Sequence, residues 1–433
     1  MTSPNILYIH SHDTGRHIAP YGHAVPTPNM TRLADEGVLF TNAFCSGPTC
    51  SPSRAALLSG QCAHSSGMIG LAHRGFSMRD YREHILHTLR PAGYESTLIG
   101  VQHVADRAER IGYDRIVPTE TREARHVAPA AAGFLRSAPK QPFFLSVGFF
   151  ETHRVFPEPG PEDDARRCLP APTVPNAPET RADMAAFKAS ARRLDAGVGE
   201  VLAALEAAGL AGNTLVISTT DHGIPFPGMK CNLTDHGIGV LLMMRGPGGF
   251  TGGKVLDGLV SHIDVFPTIC ELLGIERPAW IQGRSILPMV RGEKPEVNEE
   301  IFAEVSYHAA YEPMRAVRTR RWKYIRRYDG RTRPVLANAD DGPSKDVWLA
   351  AGWAARQVEA EQLYDLVFDP QERRNVAADP ANAATLADMR GRLERWMRET
   401  KDPLLSGTVP APAGAVVNSP DALSPKETPQ KVG

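Results

Sequence analysis

The sequence predicts an α/β protein, with a large, mainly parallel sheet flanked by helices and a smaller C-terminal α+β subdomain. Three observations carry that prediction. Short apolar runs recur along the first half of the chain, amphipathic helical stretches alternate with them, and the pattern changes to paired strands after about residue 275.

The first run, residues 5–10, is Asn5-Ile6-Leu7-Tyr8-Ile9-His10, an unbroken apolar stretch that reads as a buried strand and stops at polar residues before a Gly-containing turn. A helical pattern follows at 30–36. Ala55-Ala56-Leu57-Leu58 begins another, which would leave Cys50 in the loop facing that helix's N-terminus, where the backbone dipole favours anions. Further strands are expected at 96–100, 142–149 and 214–221, each with a His or Asp just past its apolar core. A long amphipathic pattern runs from Met184 through Leu205 to Ala208. Strands alternating with helices imply a parallel sheet covered on both faces, and ligands of such sheets gather at the strands' carboxyl ends. Met314 to Thr319 and Trp322 to Ile325 then read as paired strands, with a helix near 384–398. The expected divisions are an α/β domain over 1–290, an α+β subdomain over 291–405, and a flexible tail over 406–433, a stretch rich in Pro, Ala, Ser and Gly.

Composition narrows the function classes. With 48 Lys plus Arg against 49 Asp plus Glu, no basic field points to nucleic acid or to a membrane surface. Six cysteines in 433 residues form neither a disulfide framework nor a CxxC zinc pattern, so a cysteine that matters should matter as a reactive group. The start, Met1-Thr2-Ser3-Pro4-Asn5, lacks the basic and apolar regions of an export signal, and the expectation is a cytoplasmic chain.

The chemistry is densest at Cys50-Ser51-Pro52-Ser53-Arg54. This segment resembles the C-x-P-S-R signature of the type I sulfatases, members of the alkaline phosphatase superfamily, in which the cysteine is oxidised to formylglycine. The resemblance extends roughly from Pro4 to Pro403: His12-Asp13-Thr14-Gly15 is similar to the family's first metal-binding strand end, Thr27-Pro28-Asn29 to the start of its first helix, and Leu363-Tyr364-Asp365-Leu366 with Asp369-Pro370 to its C-terminal segment. Gly67-Met68-Ile69-Gly70-Leu71, residues 221–227 and Pro313-Met314-Arg315 resemble the heparan N-sulfatase, or sulfamidase, branch.

The resemblance implies an alkaline-phosphatase-like fold and hydrolysis of a sulfate ester or N-sulfate, on a sugar, through the hydrate of a formylglycine made from Cys50. It implies a maturation partner, a formylglycine-generating enzyme, and one divalent metal held by His12, Asp13, Asp221, His222 and the modified Cys50. Arg54 and Lys230 would bind the sulfate, His103 and His153 would move protons, and Arg154 and His308 would touch the substrate. Two departures from the family pattern matter. His12 and His222 stand where oxygen donors are usual, which favours manganese, iron or zinc over the family's customary calcium and brings formylglycine-dependent phosphonate monoester or phosphodiester hydrolysis into view. Val101 stands where the family has a lysine two residues before His103. A reading of another class is a metal-bound binding protein whose Cys50 stays unmodified.

Overall fold

The computed structural model describes residues 3–433; Met1 and Thr2, part of the start read for an export signal, lie outside them. Its main sheet has eight strands, β1 (Asn5–Ser11), β2 (Val38–Phe40), β3 (Glu95–Gly100), β4 (Arg115–Val117), β5 (Phe143–Gly148), β6 (Thr214–Thr220), β7 (Leu242–Arg245) and β8 (Lys254–Leu256). Their spatial order is β4-β3-β5-β1-β6-β7-β2-β8. The five strands from β4 to β6 in that order run parallel, and β7 runs antiparallel to both its neighbours. All seven residues of β1 are buried, as a strand between two covered faces requires.

Alternation along β1 decides which side each residue serves. Leu7 and Ile9 pack with α1 (Pro28–Glu36), α3 (Ala124–Arg136) and the 30-residue α4 (Pro178–Ala207). Ile6 and Tyr8 pack on the opposite side with α2 (Cys50–Ser59) and with the second sheet. The C-terminal sheet is antiparallel, β9 (Glu300–Tyr307), β10 (Tyr311–Thr319), β11 (Trp322–Arg327) and β12 (Glu361–Asp365), in that order. One face joins the core around Ile6; the other is covered by α5 (Ala383–Glu399) through Leu386, Met389, Leu393 and Met397. Arg318 of β10 and Lys323 of β11 both reach Asp235, which fastens this sheet to the first domain.

Two expectations are corrected. Helix α2 starts at Cys50 itself, not at Ala55, because Ser53 N–H already donates to Thr49 O at 3.0 Å and closes the first turn. Residues 406–433 are not a flexible tail. Val416–Val417 pairs with Gln430–Lys431, Ala415 is fully buried, and Asn418 N–H donates to Ala309 O. A stretch poor in large apolar residues is anchored here by polar contacts, chiefly Arg74 Nη1 to Asn418 Oδ1 at 2.8 Å, Nη2 to Pro425 O and Tyr307 OH to Val409 O. Among the described residues, no helix is long and apolar enough to cross a membrane.

Candidate functional site at the strand ends

The site forms where β1, β3, β5 and β6 end, facing the first turn of α2. Gly100 ends β3 with φ at +84°, and a Cβ there would sit 2.2 Å from Gly148 O, so glycine lets β3 and β5 approach closely just before the chain turns to His103. Past these strand ends, Asp13, His103 and Cys231 all hold left-handed backbone at φ of 49°, 52° and 66°. Side chains kept in that region cluster at functional sites, where surrounding structure over-determines them.

His12 and Asp13 follow β1, and Asp221 and His222 follow β6. Ligand atoms of His12, Asp13, Cys50 and Asp221 all lie within 4.8 Å of one another. His222 donates Nδ1–H to Gly223 O at 3.0 Å, and its Nε2 lies 3.3 Å from Asp13 Oδ1 and 3.4 Å from Cys50 Sγ. Both ring nitrogens of His12 and Asp13 Oδ1 are buried without a hydrogen-bond partner. One nitrogen of His12 and Asp13 Oδ1, both buried and open beside Asp221 and Cys50, fit a divalent cation, and the mixed nitrogen and oxygen set suits a first-row transition ion. Burial, with Arg54 nearby, holds His12 well below its ordinary range and therefore neutral, the state in which imidazole binds a metal. Burial alone would raise Asp221, but His222 and Arg54 outweigh it and hold the carboxylate ionised.

Two cations complete the cluster. Arg54, on the second turn of α2, donates Nη2–H to Ser11 O at 2.7 Å and to Asp221 Oδ2 at 2.9 Å, and its Nη1 meets His10 Nδ1 at 2.6 Å. Lys230 Nζ lies 3.0 Å from Asp13 Oδ2 and 2.9 Å from Asp340 Oδ2. Burial opposes its charge, yet Asp13 and Asp340 together hold it well above the usual lysine range. A ring nitrogen of His103 lies within 4.8 Å of the Cys50 sulfur. The His153 ring stacks on Phe150 at 4.8 Å, stands edge-on to His12 at 5.6 Å, and donates Nδ1–H to Arg154 O. His308 is buried, its Nδ1 has no partner, and Lys230, Asp340 and His222 are its nearest charges.

Ten of the eleven side chains singled out from the sequence are thus at or beside one point. Arg154 is the exception: its guanidinium is committed to Asp183 at 2.7 and 2.8 Å and to Pro225 O, and it packs on the rings of Phe156 and Phe226. Sequence reasoning passed over three members, His10 behind Arg54, His73 beside His103 at 2.9 Å, and Asp340 on Lys230. A histidine ending an apolar strand was the one available sign of His10.

Comparison with known proteins places the chain in a family. Residues 4–275 match the family described as Sulfatase, and residues 230–345 match N-sulphoglucosamine sulphohydrolase, C-terminal. N-sulphoglucosamine sulphohydrolase of Homo sapiens is 30% identical, with 92% of this chain and 91% of that protein covered. An ulvan-active sulfatase of Formosa agariphila is 28% identical, with 94% and 83% covered. Among solved structures, one in complex with its substrate D-glucosamine-2-N,6-O-disulfate has a TM-score of 0.73 at 18% identity, covering 93% of this chain and 99% of that one. A structure of a 2-O GAG sulfatase has a TM-score of 0.72 at 24% identity, covering 95% of each chain. With the strand-end cluster built around Cys50 and a family match spanning more than half its length, the chain belongs to the sulfatase family and is a hydrolase of sulfuric esters or sulfamates.

Proposed function

We propose that this enzyme removes a sulfate ester or N-sulfate from a saccharide, using a formylglycine made from Cys50 and one divalent metal held by His12, Asp13, Asp221 and His222. The observation that carries the reading is the convergence of those donors on the Cys50 sulfur, with Arg54 and Lys230 in the same cluster. Sγ stands where an oxygen of the oxidised side chain would be. The unmodified thiol is a poor nucleophile here, since burial pushes it well above the ordinary thiol range. A binding protein with unmodified Cys50 would also have little use for so many buried charged groups at one point.

When bound, the metal neutralises sulfate charge and acidifies a coordinated hydroxyl, and the formylglycine hydrate supplies the hydroxyl that attacks sulfur. The chain's own residues do the rest. Arg54 and Lys230 are fixed donors toward the oxyanion, already oriented by Ser11 O, Asp221, Asp13 and Asp340, so little reorganisation is needed as charge develops. His153, with Nδ1–H on Arg154 O, has Nε2 free to face the leaving group and is the acid proposed for it. His103 is held neutral by burial, with His12, His73 and Arg54 adding to the effect, and takes a proton on the Cys50 side. A cleft of about 920 Å³ lies beside the site, meeting it at Lys230 but not lined by Cys50, Arg54, His103 or His153; its walls include Trp348, Trp353, Glu312 and Arg327, and its size would suit the part of a saccharide beyond the sulfate. Maturation requires a formylglycine-generating enzyme as partner.

His12 and His222 support manganese, iron or zinc over calcium, and they keep a phosphonate or phosphodiester substrate in play as a second reading. One experiment tests both. Wild-type protein and Cys50→Ala are stripped of metal, reconstituted with calcium, manganese or zinc, and assayed on sulfate, sulfamate and phosphonate esters. The expected result is sulfatase or sulfamidase turnover restored by a transition ion in the wild type and none in the variant. Undiminished turnover in Cys50→Ala refutes the formylglycine reading, and faster turnover of phosphonates moves the enzyme to the second reading.

A further inference from the structure

His73 has no part in the chemistry described so far, yet it is hydrogen-bonded to a residue that does. It sits on the short turn Ala72–Arg74, which is tied to the helix of Cys50 because Ala72 N–H donates to Ser51 Oγ at 3.0 Å. Its Nδ1 lies 2.9 Å from His103 Nε2, and the two rings stack at 5.1 Å with 20° between their planes. Through His103 it stands at the edge of the same site.

The two nitrogens of His103 are unequally placed. Nε2 has His73 as partner, whereas Nδ1 is buried with no partner at all. A neutral imidazole carries one proton. On Nδ1 that proton would be a buried donor with nothing to accept it, the costlier kind of unsatisfied group. On Nε2 it is donated to His73 Nδ1, and His73, being exposed, turns its own Nε2–H to water.

We propose that His73 is a positioning residue that locks His103 in its Nε2–H tautomer, leaving the buried Nδ1 lone pair free to act as the base. The inference rests on the proposed sulfatase chemistry for the origin of the proton that Nδ1 receives, but the tautomer itself is a property of the resting protein. When Nδ1 takes a proton from a hydroxyl on the carbon that was Cys50 Cβ, the O–H electron pair stays on that oxygen. His103 becomes an imidazolium whose Nε2–H still points at the His73 lone pair. His73 thus spreads the charge, as a carboxylate would, without adding a buried negative group beside the sulfate.

The test reads the tautomer directly. Protein labelled with ¹⁵N at histidine is examined by two-bond proton–nitrogen correlation, with His103 assigned by comparison with His103→Gln, alongside steady-state kinetics. Wild type is expected to show a protonated Nε2 and a bare Nδ1 at His103. His73→Phe, which keeps an aromatic ring but has no acceptor, is expected to mix the tautomers and lower kcat roughly 10- to 100-fold with KM little changed, the usual cost of losing an orienting partner. His73→Asn, whose side-chain oxygen can take the place of Nδ1, is expected to restore both. A proton found on Nδ1 in the wild type overturns the proposal, as does an equal loss of kcat in both variants with the tautomer unchanged. Because the resting spectrum needs no substrate, a failed tautomer is distinguishable from a failed sulfatase reading, which shows instead as turnover surviving in Cys50→Ala.

Discussion

Lys230 joins two carboxylates of different origin, Asp13 at the end of β1 and Asp340 from beyond β11. One of them, Asp13, is also a ligand of the proposed metal, so a cation drawn to it would compete with Lys230, and Asp340 would keep the ammonium aimed at the pocket. Lys230→Ala is therefore expected to lower kcat by about 100-fold or more, as for other preorganised charge contacts. Asp340→Asn keeps an acceptor but drops the charge, and about a 10-fold fall is expected. Steady-state kinetics on the proteins loaded with the same metal checks both, and an unchanged kcat in Asp340→Asn would show that the aspartate is idle. The sequence singles out Cys50 and Arg54 through the contiguous segment Cys50-Ser51-Pro52-Ser53-Arg54, and the His-Asp pairs through their places just past apolar runs. Asp340 was not, since it meets Lys230 across 110 positions of chain with no local pattern around it. His73 was equally hidden, because its importance comes from one neighbour, His103, 30 residues away.

At the level of elements, the joint between α2's end and the second sheet is ionic and buried. His64, on the one-turn helix Ala63–Ser66 just after α2, meets Glu304 of β9 at 2.9 Å, and Arg315 of β10 lies between Glu304 and Asp402. Burial opposes charge on His64, but Glu304 and the Cys62 sulfur outweigh it and hold the imidazole well above its ordinary value of 6.5. A raised histidine pKa means that the folded state binds the proton more tightly. The stabilisation is fully present below the unfolded value, and it is lost as pH rises through the folded one. The difference in thermal midpoint between wild type and His64→Gln should therefore be largest near pH 5 to 6 and shrink on the alkaline side. A gap that stays constant with pH would mean that His64 is held neutral. The strands and helices around this joint were legible from periodicity, but the start of α2 was not, because Cys-Ser-Pro-Ser-Arg contains no apolar spacing to reveal a helical turn.

For the whole molecule, the C-terminal hairpin changes the account most. It grips Arg74 next to His73 and Ala309 next to His308, so a stretch far along the chain buttresses two edges of the site. Its composition reads the same whether packed or free, which is why the sequence alone made it a tail. Deleting residues 406–433 is expected to lower the thermal midpoint and to reduce kcat roughly 10-fold, the scale of a lost supporting contact. Full activity in the truncated chain would show that turn 72–74 holds its place unaided.

The burial of α2 has a consequence in time as well as in space. Every residue from Cys50 to Ser59 is buried, and Cys50 itself is 2% exposed. An enzyme that must grip the segment around this cysteine has only the interval before the sheets close over it. If Cys50 is converted as proposed, chains made without the converting enzyme would be complete in fold and inert, and supplying it later would not rescue them. Adding it to native, unmodified protein should leave the mass at Cys50 unchanged, while adding it during refolding from denaturant should restore both the modification and turnover; conversion of the native protein would show that α2 opens on its own. On the proposed chemistry, the position of this one helix puts oxidation before folding.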